Sequence, residues 1–210
     1  MSVGRLLTTP EDVAEGAAWL AQVEPRFGEV WVQTGPWPLR RRGAGFAALL
    51  HAIIGQQVSV ASAEAMWARV CAAGLDDANA LARASDDDLR ACGFSRPKLR
   101  YARALAEAQF DFDALAALPD AQVIARLEAL LGIGRWSAEI YAGFALGRAD
   151  VLAAGDLAMQ EGARVLFGLP TRPNDAELRA LSAPWSPWRG VAARGLWAYY
   201  THVKMREGIG

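Results

Sequence analysis

The residues most able to do chemistry fall in two short stretches. The first is Leu130-Leu131-Gly132-Ile133-Gly134-Arg135-Trp136-Ser137-Ala138. Two glycines separated by one residue permit a very tight turn, because glycine tolerates positive φ. They also strip the turn of side chains, so backbone N–H groups can approach a phosphate closely. A helix starting there adds its N-terminus, which favours anions. Ile133 would plug such a turn into the core, while Arg135 and Ser137 offer further donors. The second stretch is Val151-Leu152-Ala153-Ala154-Gly155-Asp156-Leu157-Ala158-Met159-Gln160, where an apolar, small-residue loop delivers Asp156 to a helix start. The ordinary job of such an Asp is an N-cap. A fixed carboxylate in a dry site can instead stabilise developing positive charge or position water. Asp150, which precedes the loop, is the weaker candidate for that work.

Other chemistries find less support. Cys71 and Cys92 are the only cysteines, and neither belongs to a Cys-x-x-Cys pair. Two thiols cannot hold an iron–sulfur cluster, which takes four. His51 and His202 do not cluster with them in sequence, so no zinc site is expected. Both cysteines read as buried and neutral. Lys98 and Lys204 are the only lysines among 22 basic residues. The arginines suit planar phosphate contacts and stacking, although the same usage follows from a GC-rich genome.

The elements that must position these residues read as helices. Ala, Leu, Arg and Glu dominate with apolar residues at helical spacing, and strand signals are nearly absent. Thr9-Pro10-Glu11-Asp12 predicts a capped helix start, running to about Val23. Thr34–Gly45 reads as an irregular connection. Helices are expected at Phe46–Ile54, Val58–Ala73, from Ser85 to Cys92, from Ser95 to about Gln109, and from Pro119 to Leu130. Arg135–Leu146, Asp156–Phe167, Asp175–Leu181 and Pro187–Met205 complete the set. No repeat or flexible linker interrupts them.

The chain has 210 residues, 53% hydrophobic and 21% charged. It can build one substantial core or two small subdomains, and it is globular rather than disordered. No apolar run is long enough to span a bilayer. Met1-Ser2-Val3-Gly4-Arg5 precedes no signal-peptide segment, so a cytoplasmic, nucleoid-associated location is expected. A formal net charge of −1 argues against coating nucleic acid by charge alone, but not against a local grip.

The order of hairpin, helix, small-residue loop and Asp resembles the helix-hairpin-helix DNA glycosylase superfamily. Further segments resemble its DNA-3-methyladenine glycosylase II branch: Pro38-Leu39-Arg40-Arg41-Arg42, Phe46 through Ile54-Gly55-Gln56-Gln57-Val58-Ser59, Phe94-Ser95-Arg96-Pro97-Lys98, and Trp185-Ser186-Pro187-Trp188-Arg189. The match runs from about residue 15 to 205, although the catalytic loop holds Gly155 and no Pro. The resemblance implies an all-α fold of two interleaved helical subdomains flanking a DNA-binding cleft. It would form a single glycosylase domain over residues 1–210, without the N-terminal β domain of some members. It also implies excision of an alkylated purine, such as 3-methyladenine or 7-methylguanine, from double-stranded DNA by base flipping, with Asp156 catalytic. Gly132, Ile133, Gly134, Arg135, Ser137, Gln56 and Gln57 would meet DNA, with Gln57 at the position that fills the vacated gap. Trp136 and Trp197 match aromatic pocket positions, joined by Tyr141 or its neighbour Ile140. Where lyase-competent relatives carry an amine, two residues after the second hairpin glycine, this chain has Trp136, so a monofunctional enzyme is implied. No cofactor would be required beyond a monovalent cation, Na+ or K+, held by the backbone carbonyls of Glu128, Leu130 and Ile133. The protein would act as a monomer. Trp19, Trp67 and Trp185 are expected in the core, and Trp188 and Arg189 would tie the last helix to the catalytic region.

Rival readings stay open on sequence alone. A non-enzymatic DNA-binding module explains the glycines but neither Asp156 nor the aromatic residues. A glycosylase for another damaged or mismatched base uses the same parts. An all-α protein with no DNA role leaves the motif order as coincidence, and Gln56 and Gln57 could simply cap and cross-link helices.

Overall fold

The computed structural model describes residues 3–206. Met1 and Ser2, part of the N-terminal segment read above, lie outside the described residues. In chain order the helices are α1 (Pro10–Val23), α2 (Arg26–Thr34), α3 (Phe46–Gly55), α4 (Val60–Ala72), α5 (Ala78–Arg83), α6 (Asp86–Ala91), α7 (Arg96–Glu107), α8 (Asp120–Glu128), α9 (Arg135–Phe144), α10 (Leu157–Phe167), α11 (Asp175–Leu181) and α12 (Arg189–Arg206). Short 3-10 turns occupy Asp113–Ala117 and Ala183–Trp185. Among the described residues the only β-type pairing is the isolated bridge between Leu6 and Arg148, so the all-α expectation holds. No helix among them is long and apolar enough to cross a membrane.

The helix starts follow local chemistry. Thr9, Ser85 and Asn174 form reciprocal capping boxes with Asp12, Asp88 and Glu177. Ser59 and Asp77 accept backbone N–H groups at the starts of α4 and α5. Two elements were not anticipated. α2 follows Pro25 without a side-chain cap and ends at Gly35, and its Val30-Trp31-Val32 core favours strand by propensity alone. α5 is only six residues long. The expected start of α4 at Val58 moves to Val60, because Ser59 takes the N-cap.

Two compact units result. The first contains Arg42–Leu146, hence α3 to α9. There α3 packs against α4, α7 and α9, burying Leu49, Leu50, Ile53 and Ile54. Lys98, at the start of α7, is buried and donates to the Ile54 carbonyl at 2.5 Å, closing the C-terminus of α3. Burial holds its ammonium below the usual lysine range. Cys92 is buried as expected, but Cys71 is exposed, a correction: it lies on the outward side of α4, whose buried residues are Ala63, Met66 and Val70.

The second unit combines Gly4–Arg41 with the chain from Gly147 onward. Here α12 packs against α10, α2 and α1. Phe27 is fully buried, edge-on to Trp37, Phe167 and Trp185, at centroid distances of 6.1, 6.4 and 5.0 Å. Leu7 N–H donates to Gly147 O at 2.6 Å, and Ala149 N–H to Arg5 O at 3.0 Å, pairing the two chain segments. Trp185 is buried, and Trp19 is half-buried.

Candidate functional site

The hairpin lies in the first unit, between α8 and α9. Ile133 N–H donates to Leu130 O at 3.1 Å, with Gly132 at φ 83, the third-position conformation that type II turns give to glycine. A Cβ on Gly132 would stand 2.1 Å from Cγ of Tyr101, so the turn also rests directly on that ring. Gly134 differs. It caps α9 at φ −94, open to any residue, and a Cβ there would meet nothing within 4 Å. No side chain caps α9, so its first backbone N–H groups face outward from a bare start. The protein's own packing therefore demands glycine at Gly132 but not at Gly134.

The neighbouring side chains sort by burial. Ile133 is buried, as a plug should be. Arg135 keeps 55% of its side chain exposed while its Nε donates to the buried Glu139 at 2.8 Å. Ser137 is only 2% exposed, and its Oγ accepts Nε2 of Gln56 at 2.9 Å. Gln56 Nε2 also reaches Gly132 O at 2.9 Å. Gln56 and Ser137 thus face inward together and lock the end of α3 to the hairpin. Gln57 does the opposite, being exposed in the left-handed region at φ 56. Trp136 is half-buried, close enough that a Cβ on Gly55 would lie 3.7 Å from its ring. Tyr141 is 1% exposed and its hydroxyl accepts Gly45 N–H at 2.8 Å. It supports the connection into α3. Burial pushes its phenol up from the usual range. Trp67 meets the His51 ring edge-on.

The carboxylate lies in the second unit. Asp156 is the N-cap of α10, its Oδ1 accepting Ala158 and Met159 N–H groups, both at 3.0 Å. The indole Nε1 of Trp197, on α12, donates to the same oxygen at 2.9 Å. Gln160 holds the preceding loop by donating to Ala154 O at 2.8 Å. Asp156 thus does fill the N-cap role, and three N–H donors fix its carboxylate in place. Asp150 is engaged elsewhere: Arg189 grips it with Nε and Nη2 at 2.8 and 2.6 Å, and Ser186 Oγ donates at 2.8 Å. That ion pair ties the start of α12 to the loop, the contact expected of Arg189, while Trp188 beside it is buried.

The same unit holds a buried guanidinium. Arg194 is buried and donates to Leu39 O at 3.1 and 2.9 Å and to Gly190 O at 2.7 Å. Its partner lies 155 positions away, so no local pattern could have signalled it. At the hairpin, Leu130 O accepts the Ile133 N–H and keeps a second lone pair. Among the described residues no group of His, Cys, Asp and Glu could hold a metal ion.

A family model described as HhH-GPD superfamily base excision DNA repair protein matches residues 50–187. The chain is 24% identical over 203 residues to the alkylbase DNA glycosidase-like protein mag2 of Schizosaccharomyces pombe, spanning 91% of this chain and 95% of that protein. The structure of the 3-methyladenine DNA glycosylase Mag1 of the same yeast, in complex with abasic DNA, matches with a TM-score of 0.79 at 27% identity, over 87% of this chain and 95% of that one. The DNA-3-methyladenine glycosidase of Bacillus halodurans matches with a TM-score of 0.73 at 32% identity, over 93% and 92%.

Proposed function

The chain belongs to the HhH-GPD superfamily of base excision DNA repair proteins, and on that footing we propose that it is a monofunctional DNA-3-methyladenine glycosylase. It hydrolyses the N-glycosidic bond of alkylated purines in duplex DNA and leaves an abasic site. The observation that carries this reading is Asp156, held by the first turn of α10 and by the indole of Trp197. Breaking the bond leaves positive charge on the deoxyribose. A carboxylate already fixed by three donors stabilises that charge without reorganising, and it can orient the attacking water. An alkylated purine is itself cationic and leaves without a strong general acid.

The remaining roles follow from position. The bare start of α9 and the open face at Gly134 suit close approach of a DNA phosphate, with Arg135 beside them. Gln57, exposed on its left-handed backbone, fills the gap left by the flipped nucleotide, a step that is least costly for a damaged base. Trp136 and Trp197 offer faces for a cationic base. When bound, a monovalent cation at the hairpin carbonyls would add positive charge facing the phosphate. Neither lysine is placed as a nucleophile by the hairpin, and Lys98 is committed to Ile54. A duplex-DNA substrate sets the place of action at the nucleoid, where the protein works as a monomer. A non-enzymatic module would use Gly134 but has no use for an aspartate held by a tryptophan.

The test is release of free base from duplexes carrying 3-methyladenine, 7-methylguanine or hypoxanthine. Strand breaks should appear only after alkali, and borohydride should trap no covalent adduct. Asp156→Asn should slow release at least ~100-fold while DNA binding survives. Full activity in that variant would remove Asp156 from the mechanism.

A further inference from the structure

Arg40 has no role in the site as described, yet the second unit is built to present it. It is a non-glycine residue at φ 48, in the strained left-handed region. The strain is held in place from behind, because Arg194, itself buried, spends two donors on the Leu39 carbonyl immediately before it. Arg40 is exposed, and no carboxylate among the described residues pairs with it. It also stands close enough to Arg194 that burial and this second cation together pull the Arg194 guanidinium down to about 10. The Arg40 guanidinium lies 5.7 Å from the ring centroid of Trp197, the residue whose indole holds Asp156. An exposed cation over a ring is oriented by that contact rather than neutralised by it. A strained, unpaired cation beside a second cation is completed by an anion.

We propose that Arg40 binds a phosphodiester flanking the flipped nucleotide and so positions the lesion's sugar against Asp156. This rests on the glycosylase reading of Asp156. Each nucleotide sugar is bracketed by two phosphates, so a sugar brought to Asp156 carries an anion to the neighbouring side chains. Arginine suits the task, because its planar fork can donate two parallel bonds to phosphate oxygens. Arg40 acts through the substrate backbone and not on the breaking bond, so it is a positioning residue.

The test combines Arg40→Ala and Arg40→Gly with two DNA probes. On a duplex containing an abasic site, the slope of log K against log salt should fall by ~0.9 in both variants. On a 7-methylguanine duplex, single-turnover release should slow ~10-fold or more. A neutral methylphosphonate in place of one of the two flanking phosphates should slow the wild type similarly and leave Arg40→Ala unaffected. Arg40→Gly relieves the left-handed strain, so its melting temperature should be no lower than the wild type's, separating lost contact from lost fold. Wild-type salt slopes in both variants, or equal sensitivity of wild type and Arg40→Ala to both neutral linkages, would overturn the proposal. If the wild type releases no alkylpurine while the slopes still differ, the glycosylase reading falls and the phosphate contact stands.

Discussion

At the scale of single residues, the proposed function gives Trp197 two jobs that a substitution can separate. On that proposal its ring offers a face for a cationic base, while its Nε1–H donates to Asp156 at 2.9 Å. Trp197→Phe keeps an aromatic face and removes the donor. A hydrogen bond to a charged acceptor is worth ~1.5–3 kcal/mol, so single-turnover base release should slow by roughly 10- to 100-fold. The helix-start donors from Ala158 and Met159 persist, so the fold and DNA affinity should change little. Trp197→Ala should lose affinity for damaged DNA as well. Equal losses of rate and affinity in both variants would mean that the indole N–H does no separate work. The Asp156–Trp197 pairing joins residues 41 positions apart. The resemblance singled out each one, through the loop before α10 and the aromatic position on α12, but neither pattern could state that they touch.

At the scale of elements, the hairpin glycines looked equivalent in sequence and are not. Gly132 stands at φ 83 with Tyr101 where a Cβ would go, so both backbone and packing exclude a side chain. Gly132→Ala should therefore lower stability by ~2–4 kcal/mol, combining left-handed strain with overpacking, and Tyr101→Ala in the same chain should recover part of that loss. Gly134→Ala should cost under ~1 kcal/mol, because the position is open and only the N-cap preference is lost. It should nevertheless weaken duplex binding, since the added methyl stands on the face proposed to receive a phosphate. Chemical denaturation and titration with duplex DNA, run on the same two variants, read the two effects independently. A Gly134→Ala protein that binds like wild type would remove that face from the DNA interface. The same contrast explains which elements were legible. α1, α6 and α11 announce themselves through Thr9, Ser85 and Asn174 at their starts. α2 has no such cap and carries β-branched residues, and burial of Phe27 and Val30 decides it instead. The mutual contact of Ser137 and Gln56 was hidden for a related reason. A hydroxyl and an amide beside an anion-binding turn suit a phosphate, and only the path of the chain at Gln56 turns them toward each other.

At the scale of the whole molecule, the chain order conceals how the carboxylate is supported. Composition and periodicity give an all-α protein, but not that the first helices belong with the last. The unit holding Asp156 draws α1 and α2 from one end of the chain and α10 to α12 from the other. Phe27 is at that junction, fully buried between Trp37 of the first segment and Phe167 and Trp185 of the second. A phenylalanine so placed contributes through area removed from water and through edge-on ring contacts. Phe27→Ala should therefore lower stability by ~3–5 kcal/mol. The loss should not stay near α2. Hydrogen exchange should quicken along α10 and α12, where Phe167 and the helix bearing Trp197 lose a packing partner, while α3, α7 and α9 keep more of their protection. Base release should fall with it, although Phe27 touches no reacting atom, because the first N–H groups of α10 hold Asp156 and α12 carries its indole donor. Faster exchange confined to α1 and α2, with α10 and α12 unchanged, would show that the C-terminal helices hold the carboxylate unaided. Uniform acceleration across all helices would instead show that the two units open together.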